Sequence, residues 1–356
     1  MSKHQKLSFF CLEDLPNEIL LEIFSLLDIK GVLQCGQVSK RLRAICNDQS
    51  LWLKLNIFDR EVPFDFIEKA IQNGCEYLNL SCSCILHGAK KSEVPWKLKY
   101  LEISWAPNGL EGVLQNSHFL QKLSVDNLSL DSFAIEKICQ NGETLRILNL
   151  ERCNIDYYRR TELIQKLFTK CSQLIEVNLN KGIEGFYGNQ ILLDPHLFAL
   201  INNLTANILR LNLSAQDYVE DKHVKTLVQK CRKITELGLS FTQITNESIE
   251  SIVQNLSSLE KLDISSTKID DYPTILQLRS IPTLKVLRCF GQKRIWKVWK
   301  KDVEKIKNLK LQLPHISINK EYLNIASPSK VVYGDVDLDW FWEIRSKHQN
   351  LFPETR

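Results

Sequence analysis

The sequence predicts an α/β repeat fold, a curved horseshoe (solenoid) of about nine to ten repeats that follows a small unit of three to four helices. Residues 145–155 match the frame L-x-x-L-x-L-x-x-C-x-I at every fixed position, and the same frame recurs along most of the chain. The N-terminal residues show the spacing of short amphipathic helices instead. A chain of 356 residues also exceeds what one ordinary hydrophobic core serves, and an array that grows linearly explains this length.

The frame recurs nine times between residues 75 and 289, a pattern typical of leucine-rich repeats. Its first positions fall at Cys75, Leu98, Leu120, Leu145, Leu174, Ile208, Ile234, Leu259 and Leu284. Most intervals lie in the range of about 20 to 29 residues that this repeat class shows. The longest interval contains the glycine-rich segment 181–189, which we predict to be a loop on one rim, most simply a spacer.

Each repeat is expected to contribute one short strand and one helix. Because strand side chains alternate in direction, positions four and six of the frame, such as Leu148 and Leu150, should enter the core, and positions three, five and seven should face outward. Helical stretches follow, as at 131–140, 161–171 and 246–254. One such unit cannot bury its apolar face alone, so the units must stack, with their strands forming a concave parallel sheet.

The outward strand positions carry four basic and six acidic residues, interspersed. Mixed charge suits polar recognition of a protein and disfavours nucleic acid, whose phosphate backbone needs a continuous positive stripe. Asparagine recurs at position five, and for any single asparagine we prefer the explanation that the frame itself requires it. As a surface, the predicted substrate-binding residues are Lys122, Asn149, Arg210, Asn212, Lys261 and Arg288.

A helical segment precedes the repeats. Leu15-Pro16-Asn17-Glu18 begins it, and apolar residues then recur at helical spacing at Ile19, Leu20, Ile23, Phe24 and Leu27. Further helical stretches follow Asp28 and Ser39, and Ser50-Leu51-Trp52 ends the unit. Such a short unit is small for an isolated core, and its apolar excess favours a surface that another chain covers. An N-terminal cap of the solenoid is the alternative, and both roles are compatible.

This segment resembles the F-box motif, from Leu15-Pro16 to the closing Leu51-Trp52, and the whole chain resembles the F-box/leucine-rich-repeat family. The resemblance implies that the F-box binds the adaptor of the Skp–cullin–F-box (SCF) ubiquitin ligases, while the repeats hold a protein substrate. It assigns adaptor binding to Leu15, Pro16, Leu20, Ile23, Phe24, Leu27 and Trp52. Leu42 stands where the family usually has tryptophan, which affects local packing only.

We predict four segments: a short extension (1–11), the F-box domain (12–56), the repeats with a C-terminal cap (57–318) and a tail (319–356). Residues 293–310 hold eight basic residues, and their apolar residues at helical spacing indicate an amphipathic helix that closes the last repeat, in preference to a membrane or nucleic-acid contact.

The tail alternates acidic and apolar residues from Val336, so we expect an extended segment that returns along the concave face.

Several classes of function are disfavoured. No apolar run is long enough for a bilayer span and no cleavable leader is recognisable, so we expect a soluble protein of the cytoplasm, the nucleus or both. The eleven cysteines are mostly in frame positions and should be reduced core residues. A zinc site at Cys75, Cys82, Cys84 and His87 lacks the usual paired spacing. Motifs of nucleotide-binding and hydrolytic enzymes are not found, so we expect no cofactor, no metal and no catalytic residue.

The sequence therefore predicts a substrate receptor of an SCF-type ubiquitin ligase, with the adaptor, and through it cullin and RING subunits, as partners. The substrate is expected to be a protein, whose recognition could require phosphorylation or an accessory protein. Degradation by the proteasome would follow ubiquitin transfer. The alternative is a leucine-rich-repeat interaction scaffold that acts outside a ligase.

Overall fold

The computed structural model describes residues 12–86, 92, 95–106, 108–181, 192–269, 272–289 and 307–319. The extension 1–11, nearly all of the glycine-rich segment, most of the basic segment and the alternating tail lie outside the described residues.

The N-terminal unit contains four helices, as predicted. They are α1 (Asn17–Ser25), α2 (Ile29–Val38), α3 (Lys40–Cys46) and α4 (Gln49–Trp52), after a single 3-10 turn at Leu12–Asp14. Side-chain oxygens cap three of the helices. The Asp28 carboxylate accepts the Gly31 N–H at 2.8 Å, Ser39 Oγ accepts the Leu42 N–H at 3.2 Å and the Asp48 carboxylate accepts the Ser50 N–H at 2.9 Å. Polar residues between the apolar stretches thus set where each helix begins.

The four helices enclose a small core of their own. Its buried members are Leu20, Phe24, Val32, Leu42, Ile45 and Cys46. Leu42 is almost completely buried, so leucine fills the position at which the family usually has tryptophan. On α1, Leu20 and Phe24 are four residues apart and therefore share the inner face of the helix.

Trp52 joins the helical unit to the solenoid. Its ring is 1% exposed and belongs to the large core of the repeats. Its indole N–H donates to the Cys46 carbonyl at 2.7 Å, and its ring lies 6.3 Å from that of Phe66. Ile29, Leu33 and Leu51 of the helical unit also pack against the large core. The unit therefore covers the first repeat, which is the geometry of a solenoid cap.

The repeats form one parallel sheet with eleven strands among the described residues. The strands are β1 (Lys54–Asn56), β2 (Tyr77–Asn79), β3 (Tyr100–Glu102), β4 (Lys122–Ser124), β5 (Ile147–Asn149), β6 (Glu176–Asn178), β7 (Arg210–Asn212), β8 (Glu236–Gly238), β9 (Lys261–Asp263), β10 (Val286–Arg288) and β11 (Ser317–Ile318). Equivalent frame positions pair from strand to strand, as Leu123 does with Leu148. The frame predicted β2 to β10. The structure adds β1, which lies within the segment 12–56, and β11.

Helices follow most strands and form the outer layer. They are α5 (Phe64–Gln72), α6 (Leu110–Asn116), α7 (Ser132–Cys139), α8 (Arg160–Lys170), α9 (Asp194–Asn203), α10 (Asp221–Lys230), α11 (Asn246–Asn255) and α12 (Tyr272–Leu276), with a 3-10 helix at Gln277–Ser280. Residues 307–312 are also helical. Two short parallel pairs, Glu61–Pro63 with Cys84–Leu86 and Ser129–Leu130 with Asn154–Ile155, connect neighbouring repeats beside the main sheet.

Frame positions four and six enter the core, as predicted. Leu148 and Leu150 illustrate this, and both are buried. Position eight adopts a left-handed conformation in most repeats, with φ between 53° and 61° at Asp59, Cys82, Trp105, Asn127, Arg152, Ala215, Phe241 and Ser266. This turn ends each strand and directs the next residue inward, as it does Cys153, which is buried. The same backbone geometry therefore repeats with side chains of very different size.

Candidate interaction surfaces

The structure corrects part of the predicted adaptor-binding set. Leu20, Phe24 and Trp52 are at most 1% exposed, so they cannot contact a second protein without unfolding the unit. They support the surface from inside. Leu15 and Ile23 are half-buried, whereas Pro16 and Leu27 are exposed, and for these four residues adaptor contact remains a prediction.

Apolar side chains are exposed at two places on the helical unit, along one side of α1 and at the end of α2. Ile19, Ile23 and Leu26 recur at spacings of four and three, which places them on one side of α1 and its C-terminal end, next to the buried stripe. Leu26 is 79% exposed, and Val38 at the end of α2 is 73% exposed. The sequence prediction omitted Leu26 and Val38, although their signal was present: both are apolar residues outside the inner stripe.

Arg41 holds the beginning of α1 against α3. Its guanidinium donates to the Leu15 carbonyl at 2.6 Å and to Asn17 Oδ1 at 2.9 Å. These bonds fix the segment that carries Leu15 and Pro16 relative to the remaining helices. Arg41 therefore helps to position the predicted adaptor-binding residues Leu15 and Pro16.

A row of charged residues crosses the concave side of the sheet at frame position three. Glu176, Arg210, Glu236 and Lys261 lie opposite one another in the successive strands β6 to β9. Arg210 Nε donates to Glu176 Oε2 at 2.7 Å, and Lys261 Nζ lies 3.8 Å from Glu236 Oε1. The charges alternate in sign along the row, so each charged side chain adjoins one of opposite sign, as cross-strand pairing favours.

The same row perturbs a carboxyl group. Burial raises the pKa of Glu236 to about 7, because desolvation disfavours the charged form, while Lys261 and Arg210 oppose the shift. Burial also raises the pKa of Asp263 at position five, and the neighbouring Arg288 opposes it. The concave surface therefore contains carboxyl groups whose charge depends on pairing with the predicted basic residues.

Three of the predicted substrate-binding cations pair with acids on the concave surface itself. Lys122 Nζ lies 2.7 Å from Glu102 Oε1, and Arg210 and Lys261 pair within the charged row. The side chains of Lys122, Arg210 and Lys261 are only 11% to 17% exposed to solvent. A bound substrate would therefore meet ion pairs that already exist, and binding would have to compete with them.

The recurrent asparagines at position five end the strands. Their Oδ1 atoms accept the N–H of the residue two positions later, at 2.9 to 3.0 Å, at Asn79, Asn149, Asn178 and Asn212, and the carboxylate of Asp263 does the same for the Ser265 N–H. Such side-chain bonds stabilise turns. The asparagines thus have a structural role in the frame, as preferred from the sequence, and substrate contact by Asn149 and Asn212 remains a prediction.

Glu151 occupies a polar cluster at position seven. It is 5% exposed, and its carboxylate accepts the Asn178 amide at 2.9 Å and the Asn180 amide at 3.2 Å. Burial raises the pKa of Glu151 to about 7, and the charge of Asp126 adds to this shift. The hydrogen bonds and Arg152 favour the charged form, but they do not offset desolvation.

Aromatic side chains that the predicted substrate-binding set did not include lie on the first repeats. The rings of Tyr77 and Tyr100 stack on the concave side with centroids 4.3 Å apart, and Lys54 Nζ lies 5.5 Å from the Tyr77 centroid. Trp105 is half-exposed, and its indole N–H donates to Asp126 Oδ2 at 3.0 Å. Exposed aromatic rings are frequent in protein interfaces. The frame predicts that Tyr77 and Tyr100, at position three, face outward, but it does not predict that their rings stack.

The described residues form no group of three or more His, Cys, Asp and Glu side chains placed to hold a metal ion. Cys75 is buried at its frame position, whereas His87 lies outside the described residues. Within the same described ranges, no helix is both long enough and apolar enough to cross a bilayer.

A helical unit with an exposed apolar face, packed on a horseshoe of leucine-rich repeats, defines an F-box/leucine-rich-repeat protein. The chain belongs to the family described as "SKP2 LRR domain", whose model matches residues 65–349, and an F-box-like model matches residues 12–57.

Individual proteins are similar over smaller parts. The F-box protein dre-1 of Caenorhabditis elegans is 41% identical over 51 residues, which are 14% of this chain and 5% of that protein. The chain thus spans a small fraction of this curated relative. The crystal structure of the mouse RP105/MD-1 complex has 18% identity and a TM-score of 0.41, and the match covers 66% of this chain and 38% of that chain.

Proposed function

We propose that this chain is the substrate-recognition subunit of an SCF-type ubiquitin ligase. In this proposal the F-box unit binds the adaptor, and the concave face of the repeats binds a protein substrate for ubiquitin-dependent degradation. The combination of an F-box with leucine-rich repeats supports such a role in general. The protein would act in the cytoplasm, the nucleus or both, where the other subunits of the ligase are available.

The observation that carries the adaptor half of the proposal is the exposure of apolar side chains on the helical unit. Leu26 and Val38 are each more than 70% exposed, although the unit has an inner core sufficient to bury leucine and phenylalanine. Apolar side chains left in water on a small unit favour association with another chain. The helical unit packs on the solenoid through Trp52, which is buried, and not through these exposed residues.

The concave surface supports the substrate half. Its charges are interspersed and paired, and the stacked Tyr77 and Tyr100 add apolar area beside them. Such a surface suits a folded or extended protein segment with both charged and apolar side chains. The role needs no catalytic residue of this chain, because holding a substrate lysine near an activated ubiquitin raises the effective concentration of the reacting groups.

Binding of the full-length chain to the purified adaptor tests the first half. We expect Leu26→Asp to weaken binding at least tenfold, because it places a charge in the apolar face. Tyr158→Asp is the matched control, since Tyr158 is 93% exposed on the solenoid and far along the chain from the helical unit. If Leu26→Asp binds like the wild type, the assigned face is wrong.

Affinity purification with the ligase inhibited tests the second half. Lys261→Ala should reduce the recovery of co-purifying substrate proteins, whereas Lys285→Ala should not. The two lysines are matched because each pairs with a glutamate of the preceding repeat, Lys261 with Glu236 and Lys285 with Glu260. Lys285 lies at frame position two, just before β10. Equal recovery with both variants would argue against substrate binding at the charged row.

A further inference from the structure

Two cysteines of consecutive repeats face each other at the ends of neighbouring helices. Cys139 is the last residue of α7, and Cys171 directly follows α8. Their thiol groups interact as hydrogen-bonding partners. Both were expected to be reduced core residues. Their juxtaposition comes from the stacking of the repeats, since 31 residues separate them in the sequence.

The backbones also approach closely at this point. A side chain on Gly142 would place its Cβ 2.4 Å from the Lys170 carbonyl oxygen, so only glycine fits there. Cys139 Sγ lies 3.9 Å from the Lys166 carbonyl oxygen, one turn before the end of α8. A disulfide requires two chain segments in such close contact, with their sulfurs facing each other.

The two thiols differ in exposure and in chemistry. Cys139 is partly exposed, whereas Cys171 is 1% exposed. The hydrogen bond with Cys171 lowers the pKa of Cys139, and the nearby Lys166 and Lys170 contribute in the same direction. The same hydrogen bond and burial raise the pKa of Cys171. A partly exposed thiol whose ionisation is favoured, next to a buried second thiol, is the arrangement of an attacking and a resolving cysteine.

We propose that Cys139 and Cys171 form a peroxide-reactive pair that closes into a disulfide between consecutive repeats. The Cys139 thiolate attacks one oxygen of hydrogen peroxide, the O–O bond breaks, and the leaving hydroxide takes a proton to become water. The Cys171 thiol then loses its proton and attacks the sulfur of the Cys139 sulfenic acid. The S–S bond forms, the S–O bond breaks, and a second water leaves, so peroxide is reduced as two thiols are oxidised.

Other cysteines of the chain provide internal comparisons. Cys231 follows α10 as Cys171 follows α8, and both are buried, but the Cys231 sulfur contacts the Thr205 carbonyl oxygen. Burial raises its pKa to about 11. Cys82 is exposed on the turn after β2, so it would react with an oxidant without a facing partner. Cys82 therefore shows the effect of exposure without a facing cysteine, and Cys231 shows the effect of the position after a helix without a facing cysteine.

The test uses the reduced full-length protein, treated with hydrogen peroxide, blocked with an alkylating reagent and digested for mass spectrometry. We expect a cross-linked pair of peptides that contains Cys139 and Cys171, and its loss after dithiothreitol. In Cys171→Ser, Cys139 should proceed to sulfinic acid, whereas in Cys139→Ser the Cys171 thiol should stay reduced. Cys231→Ser should form the cross-link like the wild type.

The wild-type digest is decisive without any variant, so a folding defect cannot hide the result. A wild-type protein in which Cys139 becomes sulfinic acid without a cross-link would overturn the proposal. So would a protein in which Cys139 and Cys171 both stay alkylated while Cys82 is oxidised, or one in which Cys139 pairs with another cysteine.

Discussion

Arg210 contacts the carboxylate of Glu176 with two nitrogen atoms: Nε lies 2.7 Å from Oε2, and Nη2 contacts the same oxygen. The two residues face each other in β6 and β7, and Glu176 is almost completely buried. A buried carboxylate that loses its partner keeps the cost of desolvation without the compensating attraction. The ion pair between Arg210 and Glu176 therefore contributes to the stability of the concave sheet, whether or not a partner protein contacts it.

We expect Arg210→Leu to lower the free energy of unfolding by about 3 to 5 kcal/mol. The double variant E176L/R210L should lose less, because neither charge then remains buried. Urea denaturation of the three proteins at neutral pH measures both differences. A double variant that is less stable than Arg210→Leu would show that the ion pair itself, and not the unpaired carboxylate, dominates.

Glu151 should make stability depend on pH. Its pKa of about 7 in the folded protein exceeds the value of about 4.3 expected in an unfolded chain. The folded state thus binds this proton more tightly than the unfolded state does. The contribution of protonated Glu151 to the free energy of unfolding is complete below the unfolded pKa and is lost as pH rises to about 7 and above. Glu151→Gln removes the ionisation. It should exceed the wild type in free energy of unfolding by about 1 to 3 kcal/mol at pH 8 and match it near pH 4.

Glu250→Gln is the control for this series, because Glu250 is exposed on α11. Its difference in stability between pH 5 and pH 8 should equal that of the wild type. Denaturation curves at several pH values between these limits give the midpoint of the change. If the Glu151→Gln protein retains the full pH dependence of the wild type, the pH dependence of stability comes from other groups, and Glu236 is the first candidate.

Trp52→Ala should destabilise both parts of the molecule, because the ring fills the joint between them. Removal of a buried tryptophan costs about 3 to 5 kcal/mol. Trp105→Ala is the matched control, since its indole also donates one hydrogen bond but its ring is half-exposed. Hydrogen exchange should show faster exchange in α3, α4 and β1 for Trp52→Ala only. Unchanged protection in β1 would mean that the helical unit is not needed as a cap.

Gly238 packs closely against Asn212, which occupies the same frame position in the preceding repeat. A Cβ at this glycine would lie 2.4 Å from Asn212 Oδ1, and this oxygen already accepts the Ser214 N–H at 3.0 Å. Gly238→Ala should therefore cost about 1 to 3 kcal/mol of stability through overpacking. In the background of Asn212→Ala the added cost should nearly disappear, as thermal denaturation can measure. Additive losses in the double variant would contradict this account.

The repeat frame predicted β2 to β10, whose units begin with leucine, isoleucine or, at Cys75, cysteine. It missed β1, whose unit begins with Trp52 in place of leucine and overlaps the end of the F-box motif. It also missed β11, whose unit follows a stretch in which the spacing loosens. Both end units contact the sheet on one side only in the described residues, so fewer neighbours constrain their sequence.

The candidate surfaces were predicted less completely. The motif marked Leu20 and Phe24, yet a resemblance cannot tell a residue that contacts a partner from one that supports it from inside. Burial decides this, and it depends on α3 and α4 packing over the inner face of α1. The charged row was visible as mixed charge, but the pairing of Glu176 with Arg210 depends on the strand register of residues 34 positions apart.

By itself, the sequence determined the properties that depend on neighbours along the chain: the period of the repeats, the residues that enter the core, the caps that begin the helices and the F-box resemblance. These follow from side-chain alternation and local hydrogen bonding, which act over a few residues. Only the tertiary structure decided which carboxyl groups lose their solvent, which cations pair with them and that Cys139 meets Cys171. Those properties arise from stacking between repeats, and the frame alone does not state which side chains the stacking brings together.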